Sequence, residues 1–185
     1  TSLMGLYKSD GAFCTQCEPE GFRRITYFLD RSDVLAKYRV KIVGPEYGCG
    51  VLLSNGNLIE QGKIKNRPFA VWEDPFPKPS YLFALVAGTF DIVEDTFKTK
   101  SGRNVDLKLY VDRGAALRGQ FAMQCIKESM KWDEDRFNLE YDLDNFKVVA
   151  VDFFNFGAME NKSLNVFNSV YVMVDPDTAT DTAFY

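Results

Sequence analysis

Histidine is absent from all 185 residues, so any step that needs imidazole as base or metal ligand lies outside this chain. Positive charge is also short. There are 22 Lys and Arg against 26 Asp and Glu, a net charge of -4 and a pI near 5.0, which argues against nucleic acid as a partner. No apolar run reaches the roughly 20 residues of a membrane helix. No basic segment followed by an apolar one opens the chain, so neither membrane segment nor signal peptide is expected. Only four cysteines occur: Cys14, Cys17, Cys49 and Cys125. Cys14 and Cys17 have metal-like spacing, but there is no second such pair and no histidine, so no metal is expected on this chain. The thiols read as free and buried or half-buried in a reducing compartment, favouring cytoplasm over secretion. The chain starts at Thr1 without Met. It stops just after Thr180 and Asp181, either of which has the chemistry of a helix N-cap. It reads as a piece of a longer protein.

What is present is a core-forming composition, 46% apolar and 15% aromatic. From residue 21 to about 90 the pattern is mostly β. Residues 22–28 mix apolar and polar side chains like a strand, and residues 38–42 alternate cleanly. Ser54-Asn55-Gly56-Asn57 predicts a hairpin with a type I′ turn. Residues 69–72 form a short strand, Asp74-Pro75-Phe76-Pro77-Lys78-Pro79 a stiff connection, and residues 81–87 a buried strand. A β pattern restarts over 90–111, with a turn at Ser101-Gly102. One helix is expected over residues 117–135, with Phe121, Ala122, Cys125, Ile126, Ser129 and Met130 on its apolar face. Residues 146–154 read as another strand. Asp142, Asp144 and Asp152 lack calcium-loop spacing. A boundary is expected near residues 88–91.

The run Phe156-Gly157-Ala158-Met159-Glu160-Asn161 follows that last strand. Gly157 and Ala158 have no bulky side chain, so another backbone can approach closely. Glu160 sets a carboxylate beside it. An extended peptide could pair with the Gly-Ala segment while its terminal ammonium meets the carboxylate. Taken alone, such a glutamate is an ordinary surface residue, Gln16 and Glu18 are a solvated loop, and Met159 is packing.

This run, with residues 151–155 before it and Lys162 after it, resembles the M1 family of zinc aminopeptidases, in its bacterial-type branch. So do Thr1-Ser2-Leu3-Met4-Gly5-Leu6-Tyr7, Cys14-Thr15-Gln16-Cys17-Glu18, Gly21-Phe22-Arg23-Arg24-Ile25-Thr26-Tyr27 and the Asp74–Pro79 segment. The Gly157–Asn161 pentapeptide is specific to that family, and the other segments accompany it in the same order. The resemblance implies a mostly β fold with some α. Residues 1–90 would be part of an N-terminal β-sandwich or saddle domain, and residues 91–185 the β-rich first half of a thermolysin-like metallopeptidase domain. It implies hydrolysis of the N-terminal residue from peptides by a zinc enzyme whose zinc ligands and catalytic residues lie outside this chain, in the remainder of the catalytic domain. The fragment alone would be inactive. The implied substrate-binding set is Glu160, Glu18, Gln16, Gly157, Ala158, Phe156, Met159 and Asn161. Glu160 and Glu18 would take the α-ammonium, Gln16 and Phe156 would line the pocket for the first side chain, and Gly157 and Ala158 would offer backbone groups. The rival reading is a non-catalytic β-rich module, derived from the same fold, that binds peptides or proteins. A glycosidase with paired carboxylates finds no supporting motif.

Overall fold

The computed structural model describes residues 3–175 and 177–184; Thr1 and Ser2, which open the resembling stretch, lie outside the described residues. The fold is mostly β with one α-helix among the described residues. Two compact units are present: residues 1–89 together with 159–165, and residues 90–158 together with 166–185.

The first unit holds strands β1 (Gly5–Ser9), β2 (Ala12–Gln16), β3 (Leu35–Val43), β4 (Val51–Ser54), β5 (Asn57–Ile64), β6 (Arg67–Pro79) and β7 (Leu85–Gly88). They form a four-stranded sheet in the order β1-β2-β7-β4 and a three-stranded sheet in the order β3-β6-β5. An aromatic cluster of Phe22, Phe28, Tyr38 and Phe83 packs largely edge to face, with ring centroids 5.0–6.4 Å apart. Asp74 and Lys78 are both buried and pair at 3.0 Å. Burial pushes the Lys78 ammonium below its ordinary range, and Asp74 opposes that shift. Asp74 also accepts the Phe76 N–H, and the Lys78 ammonium lies 4.0 Å from the Tyr38 ring centroid.

Several local expectations fail here for tertiary reasons. Residues 22–28 form a 3-10 turn at Phe22–Arg24 and a loop, not a strand. Arg23 ties that loop to buried Asp30 through its own N–H at 2.9 Å and through its guanidinium on the Asp30 carbonyl at 2.9 Å. Asn55-Gly56 is not a hairpin turn. Strand β4 pairs with β7 and strand β5 with β6, so the chain changes sheets at this dipeptide. The hairpin lies one strand later, at Lys65 and Asn66. Both have positive φ, 48° and 67°, and Ile64 faces Arg67, as a two-residue type I′ turn requires. The proline-rich segment continues β6, which pairs with β3 past an irregularity between Ala36 and Tyr38. Residues 81–87 begin in a 3-10 turn at Ser80–Leu82 before β7.

In the second unit, β8 (Asp91–Lys98) and β9 (Asn104–Val111) form the hairpin expected around Ser101-Gly102, and α1 (Gln120–Phe137) follows a 3-10 turn. Strand β10 (Asn145–Val151) lies parallel to β9. Strands β11 (Ala158–Met159) and β12 (Leu164–Asn168) each cross the division between the units, and this sheet has the order β11-β12-β10-β9-β8. The face of α1 that packs on this core carries Ala122, Met123, Ile126 and Met130. Met123 replaces the expected Ser129, which is exposed. Asn138 ends the helix in a left-handed conformation, its N–H on the Glu134 carbonyl. A 3-10 turn covers Asp181–Phe184.

Candidate functional site

Strand β2 ends at Gln16, whose partner across the strand pair is Gly5. The next residues fold back at once, with the Gly21 N–H donating to the Cys17 carbonyl at 2.7 Å. Only glycine fits at position 21, because a β-carbon there would lie 2.5 Å from the Gln16 carbonyl oxygen. This reversal projects Glu18 into solvent while Gln16 stays 2% exposed. The Gln16 side-chain amide donates to the Glu18 carbonyl at 3.4 Å and to the Met159 sulfur at 3.7 Å. Met159 is itself fully buried. Two segments 143 residues apart in sequence therefore meet at one amide.

Met159, Glu160 and Asn161 belong to the first unit, with Gln16 and Glu18. Glu160, like Glu18, is exposed. Neither carboxylate has a hydrogen-bond or ion-pair partner among the described residues. The nearest cation in sequence, Lys162, places its ammonium 4.4 Å from the Phe76 ring centroid. Beside these open carboxylates lie buried polar atoms with no partner: the Gln16 Oε1 and both amide atoms of Asn161, a residue 1% exposed. A buried polar atom left unpaired costs about 1–3 kcal/mol, so these three, like the Tyr38 hydroxyl and Glu134 Oε1 elsewhere in the chain, each call for a partner. An open carboxylate can receive an ammonium, and an unsatisfied amide the polar backbone next to it.

The other expected residues lie on the second unit's side of the division. Phe156 is 44% exposed and tilts against Phe154 at 6.2 Å. The Gly157 carbonyl accepts the Asn168 N–H at 3.0 Å, and a β-carbon on Gly157 would meet the Tyr171 ring at 3.3 Å. Ala158 is exposed in β11. The motif thus passes from one unit to the other between Ala158 and Met159.

The residues after the motif were missed from sequence. Asn161 to Leu164 form a turn closed by the Leu164 N–H on the Asn161 carbonyl at 3.1 Å, with Ser163 at φ 59°. Asn55 donates to the Lys162 carbonyl at 2.7 Å, and the Gly56 N–H donates to the Ser163 hydroxyl at 2.6 Å. The only local signal was the Asn-Gly dipeptide, whose usual meaning is a different structure.

The four thiols are free, with Cys14 and Cys17 buried and Cys49 and Cys125 half-buried. Burial pushes both Cys14 and Cys17 up to about 12. Among the described residues, no group of three or more His, Cys, Asp or Glu could hold a metal ion. The donor set present does not fit a zinc site.

The M1 peptidase N-terminal domain matches residues 1–82, and the M1 peptidase domain matches residues 121–184. Aminopeptidase N of Escherichia coli is 62% identical over 98% of this chain, and aminopeptidase N of Haemophilus influenzae is 63% identical over the same share. A crystal structure of Legionella pneumophila aminopeptidase A in complex with aspartic acid superposes with a TM-score of 0.93 at 42% identity, over 98% of this chain and 22% of that one. The chain spans 21% of the length of the two aminopeptidase N relatives. Two matching domains of one family, in order, and close identity along nearly the whole chain place this protein in the M1 peptidase family.

Proposed function

We propose that this chain is the substrate-anchoring part of a zinc metalloaminopeptidase that removes the N-terminal residue from peptides. Residues 1–90 are assigned to the N-terminal β-domain and residues 91–185 to the start of the thermolysin-like catalytic domain. The zinc and its ligands are assigned to the rest of the protein, since the donors present here do not fit them. In this reading Glu160 and Glu18 receive the α-ammonium and Gln16 borders the first side chain. Gly157 and Ala158 face the substrate backbone, Phe156 walls the pocket, Met159 backs Gln16, and Asn161 completes the motif. A free terminus satisfies both carboxylates, whereas an acylated one leaves them unpaired. Truncating one partner of a fully desolvated charge pair costs about 2–5 kcal/mol, and solvent around the exposed Glu18 and Glu160 reduces that figure.

The observation that carries this reading is the Gln16 amide, which bonds the Glu18 carbonyl and the Met159 sulfur at once. It ties the backbone of one carboxylate to the residue preceding the other. The test is kinetic, on the full-length protein, with Glu160→Gln and Glu18→Gln. Each should lower kcat/KM on free-terminus peptides by about tenfold or more, and the preference over acetylated peptides should shrink with it. Unchanged preference in both variants would refute the anchoring roles. A full-length protein that folds, binds peptides and hydrolyses none would favour the non-catalytic module instead.

A further inference from the structure

We propose that Asn55 and Gly56 are positioning residues for Glu160, a latch that fixes the direction of its carboxylate; this rests on the ammonium-binding reading above. Glu160 lies between two tie points. Upstream, Met159 is held through its sulfur by Gln16. Downstream, the turn at Lys162 and Ser163 is gripped at both of its corner residues. Asn55 Nδ2 donates to the Lys162 carbonyl at 2.7 Å, and the Gly56 N–H donates to Ser163 Oγ at 2.6 Å.

Both halves of the latch are themselves rigid. Asn55 is 2% exposed, its Oδ1 accepts the Ala84 N–H at 2.8 Å, and its Nδ2 also donates to the Leu82 carbonyl at 2.9 Å. One side chain thus fastens the β4–β5 crossing, the approach to β7 and the motif turn. Gly56 has φ 88° and lies so close to β6 that a β-carbon would fall 2.1 Å from the Glu73 carbonyl oxygen. The gripped corner needs such support, because Ser163 holds a left-handed φ of 59° that a non-glycine residue rarely keeps unaided. Asn161, between Glu160 and the gripped Lys162–Ser163 pair, contributes no side-chain hydrogen bond among the described residues. At about 3.5 Å of chain per residue, a loosened corner carries over to the carboxylate directly.

The test is a double-mutant cycle in the full-length protein, using an aminoacyl p-nitroanilide with a free α-amino group. Ser163→Gly removes the hydroxyl acceptor but accepts the left-handed corner, so the fold is retained. Asn55→Ala removes the other grip and serves as the second variant, and thermal unfolding is recorded for both. In the presence of Glu160, each should lower kcat/KM by about tenfold, chiefly through KM. In the Glu160→Gln background, the same changes should alter it by less than about twofold, because the group being positioned is gone. Equal factors in both backgrounds, or no effect with Glu160 present, would overturn the latch. If Glu160→Gln alone left kcat/KM intact, the ammonium-binding reading would fall, and the latch with it.

Discussion

Two buried asparagines in the same unit have opposite fates. Asn55 gives its amide to two carbonyls and takes an N–H in return. Asn161 is equally buried and uses neither amide atom. The same contrast separates carboxylates. Asp74 is fully buried and paired with Lys78, while Glu18 and Glu160 stand open. Satisfied polar groups fasten the fold; the unsatisfied ones include Gln16 and Asn161 of the expected substrate-binding set and Tyr38 and Glu134 outside it. Burial alone does not tell these roles apart; the partners each buried group makes must be compared as well.

The strongest way to break the comparison is at the scaffold. Gly56→Ala drives a β-carbon into the Glu73 carbonyl and should cost more than about 4 kcal/mol. Gly48→Ala, also at positive φ but with nothing within 4 Å, should cost about 1 kcal/mol. Urea unfolding of the full-length variants checks both, and similar losses would mean that the close approach at Gly56 is unimportant. Next in size, Asn55→Ala removes one buried and two part-buried hydrogen bonds and should cost about 2–4 kcal/mol. Asn161→Ala breaks no side-chain hydrogen bond and should cost less than about 1 kcal/mol, its effect falling on kcat/KM for free-terminus peptides. Equal stability losses would erase the distinction drawn here.

These two asparagines also show how far the sequence could be read. The Phe156–Asn161 run could be singled out because its residues are contiguous. The hairpin at Ser101-Gly102 and helix α1 were legible because their signals are local and periodic. Asn55-Gly56 misled because the dipeptide's local meaning, a type I′ turn, was overridden by a change of sheet and a hydrogen bond 107 residues away. The true hairpin at Lys65-Asn66 carries no glycine and so gave little signal. Residues 22–28 misled because Arg23 answers to Asp30 and Phe22 to the aromatic cluster, neither of which an alternation pattern reveals. The contact of Gln16 with Met159 was not legible at all, since no local rule joins residues so far apart and the family resemblance implied only that Gln16 lines the same pocket.

The smallest expected effect concerns the buried thiols. Cys14 and Cys17 titrate near 12 when folded, against an ordinary 9.0. Groups raised in the folded state bind more protons there than in the unfolded chain, so stability is full below pH 9 and falls as pH rises toward 12. Cys14→Ala with Cys17→Ala should flatten that decline in the alkaline unfolding profile. An unchanged slope would place its origin in other groups, Tyr7 and Tyr110 among them, whose phenols are also pushed up by burial.

The central claim is that Glu18 and Glu160 serve one ammonium. Its most direct measurement is a cycle of Glu18→Gln, Glu160→Gln and the double variant in the full-length protein, read as the kcat/KM ratio between free and acetylated peptides. Joint action predicts strong coupling, the double variant losing far less than the product of the two single losses. Simple multiplication of the two losses would mean that the carboxylates act on separate groups and would contradict the account.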